Sequence, residues 1–432
     1  MINVGIIGFG TVGTGTAKIL IKNRSVIKER TGIDIHLKKI ADLDIKKDRG
    51  IKLRQGVLTT DACALINDRA IDIVVELIGG TTIAKDMVLM ALKAGKHVVT
   101  ANKALLATHG SEIFRTAAKN RVRVGFEAAV AGGIPIIKVV REGLVANRIK
   151  AIYGIVNGTT NYILTKMTDE KAEFADVLKE AQKLGYAEAD PTYDVEGIDS
   201  GHKLAILATL AYGSSFSIRD VHIEGISKIL PMDIEFAREL GYKLKLLAIA
   251  KETGGKVELR VHPTMVPEEY LISKVDGVYN AVYVEGDAVG STLYYGRGAG
   301  DLPTGSAVVS DIVDIARGIV SGSAEQFYSG SVSPKPKSLM KMDEVISMYY
   351  FRFSALDQPG VLSTISGILG KYDISIISVI QKGRQLGKAV PLVVLTHLAR
   401  ERDVAAALRE INRLPVVAGK TVCIRVEGLH AA

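Results

Sequence analysis

A short apolar stretch, residues 3–7, runs directly into Gly8-Phe9-Gly10-Thr11-Val12-Gly13 and then into a segment of helical character. No other feature constrains the fold as tightly. In G-x-G-x-x-G one glycine permits a tight turn, one lets the main chain approach a pyrophosphate, and one lets helix and strand pack closely. N–H groups at the helix start then face the phosphates, helped by the helix dipole. The sextet alone is common by chance. Its strand–turn–helix setting at the very start of the chain argues for dinucleotide binding over a glycine-rich turn with no ligand.

The pattern that follows supports this. Strands are expected at 35–41, 71–78, 97–100 and 122–126, and helices at 12–29, 84–94 and 111–120. Repeated β-α-β order with Val/Ile-rich strands predicts an α/β domain with a parallel sheet covered on both faces, its ligand at the carboxyl ends of the strands. From about 130 to 300 helices (134–143, 172–184, 197–212) mix with strands (150–156, 257–261), which predicts a second, α+β domain. A helix at 307–320 is of the kind that packs back on the first domain. Residues 331–338, Ser-Val-Ser-Pro-Lys-Pro-Lys-Ser, read as a linker. Beyond it the order strand–helix–strand–strand–helix–strand, from 348 to 426, predicts a ferredoxin-like βαββαβ unit.

Composition bounds the function. The 432 residues carry 55 Lys+Arg against 47 Asp+Glu, and 47% of them are hydrophobic, so the chain has apolar surface enough for about three domains. The basic excess is dispersed and there is no tryptophan, which argues against nucleic acid and for attraction of anionic small molecules. The longest uncharged runs, 151–165 and 204–218, are too short to span a bilayer. Two cysteines, Cys63 and Cys423, make no disulfide framework. No basic-then-apolar leader is read at the start. A soluble cytoplasmic protein is expected.

Three segments carry candidate chemistry. Lys103 follows the strand 97–100 at the edge where the ligand is expected; otherwise it is a solvated loop lysine. The stretch from Glu127 to Ile134 offers one carboxylate and several main-chain carbonyls, hard oxygen donors that suit Na⁺ or K⁺; otherwise it is a tight connection. In the acidic segment 185–204, Asp199 and Lys203 are i,i+4 and share a helix face. Such a pair is usually a solvated ion pair. Here the apolar run after Lys203 implies burial, which lowers a lysine's pKa toward the range useful for proton transfer. Glu188 and Asp199 are candidates to bind a substrate ammonium. For the cofactor, Asp42 after the second strand favours NAD, whereas Lys46, Lys47 and Arg49 favour a 2′-phosphate and NADP; use of both is expected.

Taken together, GFGTVG at 8–13, TANKALLA at 100–107, EAAVAGGIPII at 127–137, NGTTNYIL at 157–164 and GYAEADPTYDVEGIDSGHKLAIL at 185–207 resemble homoserine dehydrogenase, in order over residues 1 to about 325. The tail, with LDQPGVL at 356–362, is similar to an ACT domain. The resemblance implies a Rossmann-like dinucleotide-binding domain (1–130, completed by about 305–325), an α+β substrate and dimerisation domain (131–304), a linker (331–345) and an ACT domain (346–432). It implies reversible NAD(P)-linked interconversion of L-homoserine and L-aspartate 4-semialdehyde. Lys203 would be the proton partner, Lys103 would lie between cofactor and substrate, and Glu188 and Asp199 would hold the substrate amino group. Gly8, Phe9, Gly10, Thr11, Val12, Gly13, Lys103 and Gly185 would contact cofactor. Glu127 and the carbonyls of Val130, Gly132 and Ile134 would bind a monovalent cation. Many relatives have arginine where this chain has Ala41, which loosens the usual NADP preference.

In the tail, Asp357 is expected as a helix N-cap with Pro359 in the first turn, leaving the N–H groups of Gly360 and Val361 for an effector's carboxylate. Threonine feedback and at least a homodimer follow as expectations; a purely assembling ACT unit is the alternative. The competing readings are a dehydrogenase for a related amino-acid alcohol or semialdehyde, and a non-catalytic amino-acid sensor.

Overall fold

The computed structural model describes residues 1–323, 337–382 and 388–428; most of the expected linker at 331–338 lies outside them. The chain divides into two compact units: residues 1–158, 199–221 and 278–337 form one, and 159–198, 222–277 and 338–432 the other.

The first unit is built on a parallel sheet of β1 (Ile2–Ile7), β2 (Ile35–Ala41), β3 (Leu58–Thr59), β4 (Ile73–Glu76), β5 (His97–Thr100) and β6 (Val124–Gly125). Their spatial order is β3-β2-β1-β4-β5-β6, and every pairing is parallel. This is the doubly wound dinucleotide-binding order, whose switch point falls between β1 and β4. Val4, Ile6, Ile40, Ile73, Val75 and Val99 are fully buried, as strands covered on both faces require. Burying each such side chain contributes roughly 1.5–3 kcal/mol.

Helices supply the cover. The expected helix at 12–29 is two, Thr11–Lys22 and Arg24–Thr31, separated at Asn23. The second buries no residue, so no core contact forces it to continue the first. The helix Asp301–Ser321 returns to this unit, and Val308, Ile312 and Ile315 join the same core as Ala17 and Leu20. Its approach is close: a Cβ on Gly15 would lie 2.0 Å from the Asp301 carbonyl oxygen. The unit also holds the antiparallel strands Ile149–Ile155, Tyr279–Gly286 and Gly290–Arg297.

The second unit contains a long hairpin, Tyr242–Thr253 with Lys256–Pro267. Its two-residue turn is Gly254-Gly255, both at positive φ, the geometry a tight hairpin needs. The C-terminal βαββαβ runs Ile346–Leu356, Val361–Lys371, Ile376–Gln381, Ala389–Thr396, Glu401–Ile411 and Val422–Val426. Its sheet has the order fourth–first–third–second, all antiparallel. The fourth strand also pairs in parallel with Lys256–Pro267, Thr264 opposite Arg425, so one sheet continues from hairpin to tail. A core of Tyr349, Phe351, Phe353, Ile365, Leu369 and Ile411 lies beneath the two helices. Among the described residues no helix is long and apolar enough to cross a membrane.

Candidate active site

The glycine turn sits at the carboxyl end of β1. Gly8 has φ +100°, and a Cβ there would lie 2.6 Å from the Leu77 carbonyl. A Cβ on Gly13 would meet the Gly8 oxygen at 2.1 Å. At Gly10, by contrast, nothing lies within 4 Å of where a Cβ would be. Gly10 is the N-cap of Thr11–Lys22 and provides no side-chain cap. Gly10 therefore leaves open space beside the start of the helix, its positive end, and the turn fits a dinucleotide pyrophosphate.

Phe9, inside the turn, is tied to the loop after β2. Its N–H donates to Asp42 Oδ2 at 2.5 Å, and its carbonyl accepts from Arg49 Nε. The Arg49 guanidinium lies 4.8 Å from the Phe9 ring centre, 3.2 Å from Asp42 Oδ1, and donates to the carbonyls of Asp44 and Lys47. Asp42 and Arg49 thus satisfy one another and shape the loop. Lys46 and Lys47 are exposed beside them.

Lys103 opens the helix Lys103–Lys119, N-capped by Asn102, whose Oδ1 accepts from the Leu105 N–H at 3.0 Å. It is not the loop lysine that its position after β5 allowed. Its Nζ is 2.9 Å from Asp199 Oδ1. Asp199 and Lys203 occupy one face of the buried helix Ile198–Tyr212, with side chains 4% and 11% exposed. Lys203 Nζ donates to Asp199 Oδ2 and to the Val156 carbonyl, each at 2.6 Å. Asn157 Nδ2 donates to the same Oδ2 at 2.9 Å. Burial alone would raise the Asp199 pKa, but the ammoniums of Lys203 and Lys103 outweigh it and hold the carboxyl far below the usual range. One buried carboxylate therefore bridges two lysines and fixes where both ammoniums point. Such a site presents positive, proton-bearing groups to an oxygen that gains charge during reaction.

Glu188 and Gly185 belong to the second unit and are exposed. Gly185 has φ +75°. Among the described residues the Glu188 carboxylate makes no hydrogen bond or ion pair; its main-chain carbonyl accepts from Gln182 Nε2 at 3.1 Å.

Glu127 is 2% exposed, and its two oxygens accept from the N–H groups of Ile137 and Lys138 at 2.8 and 2.9 Å. Burial and the nearby Asp311 carboxylate push its pKa up to about 7. Burial raises Asp311 to about 6. Val130, Ala131, Gly132 and Ile134 follow in a buried turn where Ala131 has φ 53° and Gly132 has φ 40°. A Cβ on Gly132 would meet the Gly298 oxygen at 2.5 Å. Among the described residues no cluster of three or more His, Cys, Asp or Glu is arranged for a metal. One carboxylate with main-chain carbonyls, near a second acid, fits a monovalent cation.

In the tail, the helix Val361–Lys371 is capped by Gly360 at φ 88°. Asp357 is therefore not its N-cap and Pro359 is not in its first turn. The chain enters through a left-handed residue that only glycine adopts without strain. Asp357, Gln358, Gly360, Val361, Gln381 and Leu392 line a cavity of about 320 Å³.

Sequence reasoning missed Asn157 and Val156. Asn157 stands in the quoted NGTTNYIL motif, but its partner is 42 residues away, and no local spacing shows that pairing.

Residues 8–127 match the family model described as homoserine dehydrogenase, NAD binding domain, residues 135–313 that of homoserine dehydrogenase, and residues 349–416 that of the ACT domain. Homoserine dehydrogenase of Neisseria gonorrhoeae is 49% identical over 432 residues, 99% of each chain, and that of Pseudomonas aeruginosa 47% over 437. A solved homoserine dehydrogenase from Thiobacillus denitrificans superposes with TM-score 0.94 at 48% identity, covering 99% of each chain. A hyperthermophilic archaeal homoserine dehydrogenase solved in complex with NADPH superposes with TM-score 0.61 at 28% identity, over 72% of this chain and 97% of that one. With an NAD(P)-binding domain, a catalytic domain and an ACT domain in that order, the chain belongs to the homoserine dehydrogenase family of NAD(P)-dependent oxidoreductases.

Proposed function

We propose that the chain interconverts L-homoserine and L-aspartate 4-semialdehyde, with Lys203 as the proton partner of the substrate oxygen. The observation that carries this is the Lys203 ammonium, buried and held at 2.6 Å by both Asp199 and the Val156 carbonyl, in the unit that bears the glycine turn. The nicotinamide supplies hydride chemistry at the carbon that bears that oxygen. In the reductive direction Lys203 gives its proton to the aldehyde oxygen, yielding the alcohol; in the oxidative direction the amine takes the proton back. Asp199 orients Lys203 and Lys103 together. Lys103 adds positive charge beside the reacting oxygen, and Glu188 and Asp199 are each candidates for the substrate ammonium. General acid–base help is worth about 10²–10⁴ in rate. Lys203→Ala is expected to lose at least about a hundredfold in kcat with homoserine, while the NADP dissociation constant changes little. A kcat near wild type removes Lys203 from the mechanism. Turnover of a related amino-acid alcohol faster than homoserine reassigns the substrate.

Both cofactors are expected to serve. The complex of the archaeal relative with NADPH supports a 2′-phosphate. So does the local geometry, because Asp42 is engaged by Phe9 and Arg49 while Lys46 and Lys47 stay exposed. A monovalent cation would be held by Glu127 and the carbonyls of Val130, Gly132 and Ile134, where it supplies charge that the buried acids lack.

Feedback by threonine through the ACT domain rests on the cavity beside Gly360. Asp357→Ala is expected to raise the threonine concentration for half-inhibition, and unchanged inhibition removes this site. A homodimer is supported by the edge strand Gly290–Arg297, which exposes Tyr295 stacked 5.1 Å from Tyr279. Sedimentation of the full chain tests it.

A further inference from the structure

Glu76 is a buried acid that the reaction as described does not use. It is the last residue of β4, only 1% exposed. Along the sheet it stands opposite Ile7 of β1 on one side and Thr100 of β5 on the other. It is therefore at the switch point, next to the glycine turn. Its Oε1 accepts from the N–H groups of Ile78 and Gly79 at 3.0 and 3.1 Å, and its Oε2 accepts from the Thr100 hydroxyl at 2.6 Å. Among the described residues no ion pair balances its charge. A carboxylate is costly to bury this way, and an apolar residue would fill the core of a parallel strand at less cost. What the carboxylate adds is a fixed relation between two loops.

The connections continue from both oxygens. The Thr100 hydroxyl oxygen accepts from the Asn102 N–H at 3.0 Å. The Asn102 side chain donates to the Gly80 carbonyl at 2.7 Å and caps the helix that Lys103 begins. Gly79 and Gly80, both at positive φ, are thereby locked to the residue immediately before Lys103. The ring Glu76–Thr100–Asn102–Gly80–Gly79–Glu76 closes on itself. Lys103 leaves this ring toward Asp199, 2.9 Å away.

We propose that Glu76 is a positioning residue of the reaction: through Thr100 and Asn102 it sets the start of the Lys103 helix, and so the reach of Lys103 to Asp199. This rests on the reading that Lys103 acts at the reacting oxygen. Displacement of a catalytic group by about an ångström costs up to about a hundredfold in rate.

The test is a double-mutant cycle in kcat, assayed far below each variant's melting temperature. Lys103→Ala lowers kcat. Glu76→Ala lowers it about 10- to 100-fold in the wild-type background, but by less than about threefold when Lys103 is already alanine. Thr100→Val reproduces the loss from the other end of the bond and guards against a Glu76 variant that does not fold. Thr100→Ser, which keeps the hydroxyl, restores most of the rate. A Glu76→Ala loss that is equally large in both backgrounds overturns the proposal, because the carboxylate then acts on the fold or cofactor without Lys103. A Thr100→Val enzyme with wild-type kcat overturns it too. If Lys103→Ala keeps full kcat, the reading of Lys103 itself has failed and the proposal falls with it. The first outcome is read from the double variant, the second from a silent Thr100→Val and the third from a silent Lys103→Ala.

Discussion

At the scale of single residues the site is one carboxylate with too many partners to lose. Asp199 meets Lys103, Lys203 and Asn157 in a buried setting. Removing its charge leaves two lysines to repel each other, and breaking a buried pair from one side typically costs about 3–5 kcal/mol. Asp199→Asn is therefore expected to lower kcat at least about a hundredfold and to lower the melting temperature as well, read by calorimetry beside the rate assay. If only stability changes, the carboxylate has no part in orienting the lysines. The Asp199–Lys203 pair was legible because i,i+4 spacing is a local fact of helices. That it is buried was legible only from the apolar run after it. The partners of Asp199 outside its own helix were not legible, since Lys103 and Asn157 reach it through the topology. Cofactor choice shows the same limit. Asp42 and Arg49 are seven residues apart and read as rivals for the adenosine ribose, yet they bond to each other and to Phe9. The exposed Lys46 and Lys47 are the cations proposed for a 2′-phosphate. Replacing both by glutamate is expected to raise the KM for NADP about tenfold or more, leaving that for NAD nearly unchanged. Equal shifts for both cofactors would place those lysines elsewhere.

At the scale of elements the alternation of apolar strands and amphipathic helices announced the parallel sheet, and β2 and β5 fall where residue type alone puts them. The misses have physical causes. The helix after β5 begins at Lys103 because Asn102 caps it, a signal present in the sequence but masked by the motif it belongs to. The long hairpin was half seen, because strands buried on both faces lack the alternation that marks a half-buried one. Packing of the helix Asp301–Ser321 on Thr11–Lys22 depends on glycine in both. A Cβ on Gly15 would meet Asp301 main chain at 2.0 Å, and one on Gly305 would meet Gly15 main chain at 2.8 Å. Neither neighbour is a flexible side-chain tip that can swing away. Gly15→Ala is expected to destabilise the first unit by about 1–3 kcal/mol through overpacking, seen as a lower urea midpoint with unchanged slope. Since both substitutions relieve themselves by moving the same helix, the pair Gly15→Ala/Gly305→Ala should cost less than the sum.

At the scale of the whole molecule, the tail is attached by buried charge as well as by a shared sheet. Arg425, on its last strand, donates to Glu401 at 2.9 Å and to Glu224, outside the βαββαβ unit, at 3.0 Å. Asp233, on the helix Pro231–Glu239 and 0% exposed, is held by Arg352 and Tyr350 of the tail's first strand. Glu427 reaches Arg260 at 2.8 Å. These contacts tie the tail's last strand to the hairpin and to the segment before it. They also give the attachment a pH dependence with a definite sign. Burial works against ionised Glu224, but the His222 ring and the Arg425 guanidinium prevail and draw its pKa down to about 2. In the unfolded chain the group titrates near its ordinary value of about 4.3. Folded Glu224 thus binds fewer protons, so its stabilisation is complete above that value and is lost as pH falls toward 2. The melting-temperature advantage of the wild type over Glu224→Gln is expected to be full near pH 6 and more than half gone by about pH 3. An advantage that stays constant down to pH 3 would mean that Glu224 is protonated alike in both states and that Arg425 is held by Glu401 alone.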